Sequence, residues 1–339
     1  MSLRVGLIGY GTAGAFFHAP LITATPGMTL RSVVTSREVP DGVRRLDRPD
    51  QLWEDHDLVV IASPNRTHVP LATEAVLAGV PVVVDKPFAP SVEEARALTS
   101  LASSRDVPIT VFQNRRWDGD FLTVKDLIRS GALGRVRRFE SHFDRWRPTP
   151  KETWKELPGR EEAGGVLFDL GAHLIDQALQ LFGPARSVYA EVNKQRDGVQ
   201  VDDDFFLALT HESGVLSHLA SSTLAAQPGP RFRVLGSSSA YVKYGLDVQE
   251  AALRAGEGPG SPDWGVEPEE AWGLLGVAGE TTTPVETKPG SYQYFYAAMV
   301  SALRDGSPVP VAPESAIATL EIIESALDSP QGFVELPED

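Results

Sequence analysis

At 339 residues the chain is too long for one ordinary domain and is sized for two that share a cleft. Its apolar (42%) and charged (23%) fractions are those of a globular protein, and a formal net charge of −15 argues against a sequence-independent nucleic-acid binder, which needs a basic surface against phosphates. The absence of cysteine removes disulfides, thiolate zinc sites, iron–sulfur clusters and cysteine nucleophiles. No run of roughly 18 apolar residues exists to span a bilayer, and Met1-Ser2-Leu3-Arg4 leads straight into a strand pattern with no signal-peptide core, so the expectation is a cytoplasmic protein with no membrane partner.

The first third alternates short apolar runs with helical stretches, the pattern of a parallel sheet covered by helices. Residues 4–8, 29–35, 58–62, 80–84 and 109–112 read as buried strands. Residues 91–103 read as a helix, with Ser91 and Glu94 as a capping box and Ala95, Leu98 and Ala102 on one face. Few residues separate the second strand from residue 58, so any helix there must be short. After about Trp117 the pattern changes. Residues 121–130 and 167–182 read as helices, with Gly131 and Gly183 where C-terminal caps belong. The runs 137–146, 187–192, 205–210, 215–223, 232–235 and 240–244 predict a mostly antiparallel sheet. Residues 256–268, with four glycines and three prolines, read as loop, and 292–304 and 313–327 as closing helices. The expected architecture is a dinucleotide-type α/β domain over 1–118 followed by an α+β domain over 119–339, with a cleft between them.

In the first domain three groups of residues carry chemistry. Gly9-Tyr10-Gly11-Thr12-Ala13-Gly14 follows a strand and opens a helix: the first glycine allows the turn, the second lets backbone approach a pyrophosphate, and the third permits close helix–strand packing. An NAD-specific site wants an acid about 20 residues further on. Here the chain reads Val34-Thr35-Ser36-Arg37, with no carboxylate before Glu38, and a hydroxyl followed by arginine suits a 2′-phosphate. The alternative is that Arg37 is a solvated loop residue. Ser63-Pro64-Asn65-Arg66-Thr67-His68 and Asp85-Lys86-Pro87 each end a parallel strand at the sheet edge where ligands lie. Alone, the first turn reads as an ordinary loop more often than a site, and Lys86 reads equally as a surface lysine; two such turns at one edge strengthen the functional reading.

In the second domain, Gly164-Gly165 leads a helix holding Asp169, His173 and Asp176. Asp169 and His173 are four apart and share a face, so an aspartate could orient and polarise a histidine into a base that titrates near neutral pH. The alternative is a helix-cap aspartate and a satisfied core histidine. The glycine pair lets something approach the backbone. Asp169, His173 and Asp176 have no further histidine at ligand spacing, and no metal is expected.

The chain resembles the Gfo/Idh/MocA oxidoreductases over essentially its whole length, through Gly9–Gly14, the Ser63-Pro64-Asn65…His68 turn, Asp85-Lys86-Pro87 and the glycine-led Asp169…His173 helix, in that order. Asp85 departs from the family's usual glutamate. Gln113-Asn114-Arg115-Arg116-Trp117-Asp118, Phe121-Leu122-Thr123, Ser141-His142-Phe143-Asp144, Arg147-Pro148 and Lys243-Tyr244-Gly245 look like the branch that contains NADP-dependent scyllo-inositol dehydrogenases. The resemblance implies a Rossmann doubly wound parallel sheet plus an open-faced, mostly antiparallel sheet with helices on one side. It also implies a homodimer or homotetramer, and a cofactor that is NADP, with NAD as the alternative.

Lys86, Asp169 and His173 are then the expected catalytic residues. Gly9, Gly11, Thr12, Ala13, Gly14, Ser36, Arg37, Ser63, Pro64, Asn65, His68, Asp85, Lys86 and Gln113 are expected at the cofactor. Asn114, Arg115, Trp117 and Arg145, with Asp169 and His173, are expected at the substrate, Arg145 and its neighbour Trp146 as contacts to hydroxyls. The activity implied is hydride exchange with a secondary alcohol of a cyclic polyol or sugar. The alternatives are a glycoside hydrolase that retains its nicotinamide and a non-catalytic NADP-binding sensor.

Overall fold

The computed structural model describes residues 2–150, 156 and 160–336. Continuous apolar runs make the first sheet: β1 (Leu3–Ile8), β2 (Met28–Val34), β3 (Arg44–Leu46), β4 (Leu58–Ile61), β5 (Val82–Asp85) and β6 (Ile109–Phe112). Every pairing is parallel, in the order β3-β2-β1-β4-β5-β6. Such strands are covered on both faces, which is why Leu58, Val59, Val60 and Ile61 are all buried and the run shows no alternation. The order reverses between β1 and β4, so the ends of those strands leave a crevice at the carboxyl edge. Helices α1 (Ala19–Ala24), α2 (His68–Leu77) and α3 (Val92–Ser104) cover this sheet. Ser91 caps α3 by accepting the Glu94 amide at 3.2 Å. Between β2 and β4 the one helical element is a 3₁₀ turn, Pro49–Leu52, in keeping with the shortage of residues there.

Helix α4 (Gly119–Arg129) leads into the second sheet: β7 (Val136–His142), β8 (Ala185–Asn193), β9 (Asp204–His211), β10 (Leu216–Ser222), β11 (Phe232–Gly236) and β12 (Ala240–Lys243). Three strands join it that periodicity does not reveal, β13 (Gly273–Gly276), β14 (Thr282–Val285) and β15 (Gln331–Glu335). Within this sheet β7 and β10 pair in parallel and the other pairs are antiparallel. One face buries Phe139, Leu207, Leu209, Leu219 and Val188 beneath helices α5 (Ala172–Phe182) and α8 (Pro313–Asp328). On the other face Leu274, Val242, Arg233, Glu140, His218, Ala208, Tyr189 and Phe333 form one row across neighbouring strands.

Helices α6 (Gln249–Arg254) and α7 (Gln293–Asp305) complete the chain. The last two helices return to the first sheet: α7 packs on α1, and α8 lies against α3 and β6. There Thr110 Oγ1 donates to the Val311 carbonyl at 2.7 Å. The helix expected over 167–182 is not uniform. It opens with a π turn, Leu167–Gly171, before α5 begins, so the four-residue spacing of Asp169 and His173 does not translate into ordinary α-helical stacking.

Candidate active site

The carboxyl edge of the first sheet and the start of the Leu167–Phe182 helix enclose a cleft of about 480 Å³. At its floor Gly9 has φ +93° and a Cβ there would lie 2.6 Å from the Ala62 carbonyl oxygen, so only glycine makes this turn. Gly14 serves packing, since a Cβ there would sit 2.1 Å from the Gly9 carbonyl oxygen. Gly11 is different: nothing lies within 4 Å of the place its Cβ would take, and its backbone faces the cleft at the start of a helix. Open backbone at a helix N-terminus is a place that could hold a pyrophosphate. Thr12, Ala13, Ser63, Pro64, Asn65, Asp85 and Lys86 line the same cleft, as does Arg37. Ser36 is exposed and does not.

Asn65 ties the two walls together by donating to the Ala163 carbonyl at 3.0 Å. Asp85 is pushed up by burial but held below the ordinary carboxylate range by nearby His18 and by the charges of His68 and Lys86. His68 is not in the cleft wall. It is buried, with Nδ1 2.8 Å from the Pro87 carbonyl and Nε2 3.0 Å from that of Ser63, so it braces the two sheet-edge turns against each other. Gln113 is likewise buried outside the cleft.

Between the two walls Lys86 and Asp169 meet, the lysine Nζ donating to Asp169 Oδ1 at 2.9 Å and also to its carbonyl. This replaces the expected dyad: among the described residues no hydrogen bond joins Asp169 to His173, whose Nδ1 is buried without a partner. Burial, with the charges of Lys86, Arg115 and Arg231 against that of Asp169, holds the His173 imidazole well below its ordinary pKa. It is therefore a neutral base rather than a group poised near neutrality. Asp176 points elsewhere, into a buried fork with Arg116 at 2.6 and 2.9 Å. The glycine pair also has an internal explanation. Gly165 has φ +88°, and a Cβ there would lie 2.0 Å from Asp202 Oδ1; the Asp202 carboxylate accepts the Leu167 amide at 2.7 Å. The group that approaches this backbone is the protein's own carboxylate.

Asn114, Arg115 and Arg145, expected at the substrate, also line the cleft. Arg115 is engaged by Glu250 at 2.6 Å. Trp117 turns away into the core, its ring edge-on to Phe295 at 5.8 Å, while its carbonyl accepts Gln249 Nε2. Trp146 is 58% exposed and outside the cleft. Cleft residues that sequence reasoning did not assign to the site include Phe17, Ala163, Glu250 and Arg254. Glu250 and Arg254 sit on the six-residue α6, too short for periodicity to mark. Among the described residues no group of acids and histidines could hold a metal ion, and no helix is long and apolar enough to cross a membrane.

A glycine-lined cleft at the carboxyl edge of a parallel sheet, with a lysine, a carboxylate and a histidine along it, is the arrangement of an NAD(P)-binding oxidoreductase. The chain belongs to the Gfo/Idh/MocA oxidoreductase family: residues 3–113 match its NAD-binding Rossmann-fold model and residues 121–242 its C-terminal-domain model. It is 43% identical to the oxidoreductase YdgJ of Escherichia coli (strain K12), covering 97% of this chain and 96% of that one. It is 35% identical to scyllo-inositol 2-dehydrogenase (NADP(+)) IolW of Bacillus subtilis (strain 168), over 97% and 94% of the two chains. The solved structure of the YPO2259 oxidoreductase from Yersinia pestis superposes with a TM-score of 0.93 at 40% identity, over 100% and 98%.

Proposed function

We propose that the protein transfers a hydride between NADP and the secondary alcohol or ketone carbon of a cyclic polyol resembling scyllo-inositol, or of a sugar. The observation that carries this reading is the meeting of Lys86 with Asp169 beside His173, at the end of a cleft whose floor is the open backbone of Gly11. Bound there, the nicotinamide supplies the hydride acceptor. This chain's residues supply the rest. The His173 imidazole, kept neutral by burial and neighbouring cations, takes the hydroxyl proton as the C–H bond weakens. Lys86 stabilises the charge that develops on the same oxygen, and Asp169 holds the lysine in place. NADP is preferred over NAD because Arg37 lines the cleft and no acid stands before Glu38 at the end of β2. The similarity to an NADP-dependent scyllo-inositol dehydrogenase supports both assignments.

The enzyme draws on an intracellular pyridine-nucleotide pool and is cytoplasmic. It is a homodimer or homotetramer in which a second copy covers the open sheet face, where Tyr189, Leu216, Leu274 and Phe333 are exposed. Light scattering on the purified chain tests the assembly. The activity test is a panel of inositols, polyols and sugars with NADP and with NAD at mildly alkaline pH. Formation of NADPH from at least one cyclic polyol is expected. Glycoside cleavage without net NADPH would replace this reading with that of a nicotinamide-retaining hydrolase.

A further inference from the structure

The cations of the cleft differ in what they are bound to. Lys86 is held by Asp169, Arg115 by Glu250 and by Asp118 at 3.4 Å, and Arg254 by Glu250 at 3.0 Å. Arg37 follows β2, at the end of the cleft assigned above to the ribose phosphate. Arg145 stands apart. It lines the cleft with Asp169 and His173, and among the described residues no carboxylate or carbonyl accepts its guanidinium. Instead the guanidinium lies over the Phe143 ring, 5.1 Å from its centroid.

The backbone beneath it is pinned. The Arg145 amide donates to the Ser222 carbonyl at 2.9 Å, and its carbonyl accepts the Ala225 amide at 3.2 Å. The preceding Asp144 carboxylate accepts the amides of Ser222 and Gly229. Among the described residues, five basic side chains line the cleft against the acids Asp85, Asp169 and Glu250; with Arg37 assigned to the cofactor, the surplus among them is a single cation. In a chain whose overall charge is −15, a cleft of the opposite sign is a specific feature. A guanidinium placed over an aromatic ring, with no acceptor on its N–H fork among the described residues, is matched to a planar oxyanion.

We propose that Arg145 is a specificity-determining residue that receives a carboxylate on the substrate, so that the preferred substrates are sugar acids, meaning polyols or sugars bearing a carboxylate away from the oxidised carbon. The assignment rests on the hydride-transfer reading above and narrows its substrate class. The carboxylate is a spectator: the carbinol carbon still loses its hydride to the cofactor and its proton to His173. Its contribution is orientation, fixing which hydroxyl meets the base.

The experiment uses the whole enzyme loaded with NADPH, titrated by nicotinamide fluorescence with hexonates and hexuronates, with their neutral parent sugars and polyols, and with hexose phosphates. For the wild type, at least one sugar acid is expected to bind about tenfold or more tightly than its neutral parent. Arg145→Met should weaken that acid by about 30-fold, far more than it weakens the neutral parent, and Arg145→Lys should restore part of the preference. The Kd for NADPH, measured on the same samples, should stay within about twofold.

Four results would overturn the assignment: no acid preference in the wild type, a loss as large for neutral parents as for acids, a fall in NADPH affinity, or a preference for hexose phosphates. The two readings also fail separately. Turnover of neutral polyols without acid binding sinks this inference alone, whereas Arg145-dependent acid binding without turnover of any polyol or sugar sinks the dehydrogenase reading and leaves the site standing.

Discussion

The molecule contains two glycine-led helices that look alike in sequence and behave oppositely in the fold. The first follows Gly9 and passes through a π turn at Gly14–His18; the second follows Gly165 and passes through one at Leu167–Gly171. Both leading glycines have positive φ, +93° and +88°. At each helix start the backbone amides form an anion-binding end. In the first, the space beside Gly11 is left open and faces the cleft. In the second, the equivalent role is taken by Asp202, whose carboxylate sits against Gly165 and accepts the Leu167 amide. One helix end is left open to the cleft. The other is closed internally, and in being closed it fixes where Asp169 and His173 enter the cleft. Glycines ahead of a helix therefore announce a close approach without saying who approaches.

The largest effects should come from His173, which the closed helix delivers, and from Lys86, which that helix's Asp169 holds. His173→Ala and Lys86→Met should each lower turnover by at least about 10²-fold while NADPH binding persists, since neither belongs to the glycine floor. A double variant should lose far less than the two losses combined, because both act on one proton and one oxygen. The depressed His173 pKa adds a pH signature: the neutral base survives as pH falls through 6.5, so the acid limb of the oxidation profile should lie below that value. A melting temperature measured on the same samples separates this from a merely structural histidine, for which His173→Ala would be unstable but fully active.

The comparison itself is tested by adding one methyl group at each glycine. Gly165→Ala must meet a carboxylate at 2.0 Å in a left-handed backbone, and should cost about 2 kcal/mol of stability or more, measured by urea denaturation. Gly11→Ala meets nothing within the protein and should leave stability within about 0.5 kcal/mol of wild type. Gly11→Val should fold equally well yet weaken NADPH binding about tenfold or more, because its branches fill the open floor. If Gly11→Val binds NADPH normally, the floor is not the pyrophosphate cradle.

A smaller and more selective effect is expected at the rim. Arg37→Ala should cost about 1.5–3 kcal/mol of NADP affinity and leave NAD nearly untouched, the difference being one charge-assisted contact. Equal losses for both cofactors would show that Arg37 does not read the 2′-phosphate.

What the sequence made legible follows a physical rule. Strands buried on both faces read as unbroken apolar runs, so β1, β4, β5 and β6 were visible, and with them the turns that end them at Gly9, Ser63 and Lys86. Strand β3 is three residues long with two exposed arginines, and β15 is an edge strand with mostly exposed side chains; neither carries a period to detect. In the site, residue types were legible where a turn or helix face presents them. Pairings were not. Lys86 meets Asp169 across 83 residues and Arg115 meets Glu250 across 135, distances at which no local pattern operates. The expected Asp169–His173 dyad failed for the same reason: a partner distant in sequence captured the aspartate.

The last prediction concerns Asp202, the internal anion of the closed helix. Two influences oppose each other there. The amides of Leu167 and Val166 favour the carboxylate, whereas burial and the neighbouring charge of Asp203 favour the neutral acid; burial is the largest influence, and the pKa rises from 3.8 to about 6. Between those values the folded chain holds a proton that the unfolded chain has released. Stability contributed by this group is therefore gained as pH falls through about 6 and lost as pH rises through that window, by up to about 1.4 kcal/mol per pH unit. This is the reverse of an ordinary paired carboxylate, which destabilises the fold when acid protonates it. Asp202→Asn keeps an oxygen for the Leu167 amide and removes the titration. Relative to wild type it should gain stability steadily from pH 4.5 to 6.5 and then level off. Asp247, also raised to about 6, keeps its own slope in both proteins and cancels in the difference. Urea denaturation across that range measures it. A stability difference that does not change with pH would mean that Asp202 stays ionised in the fold, held by the helix end just as a bound phosphate would be at the other one.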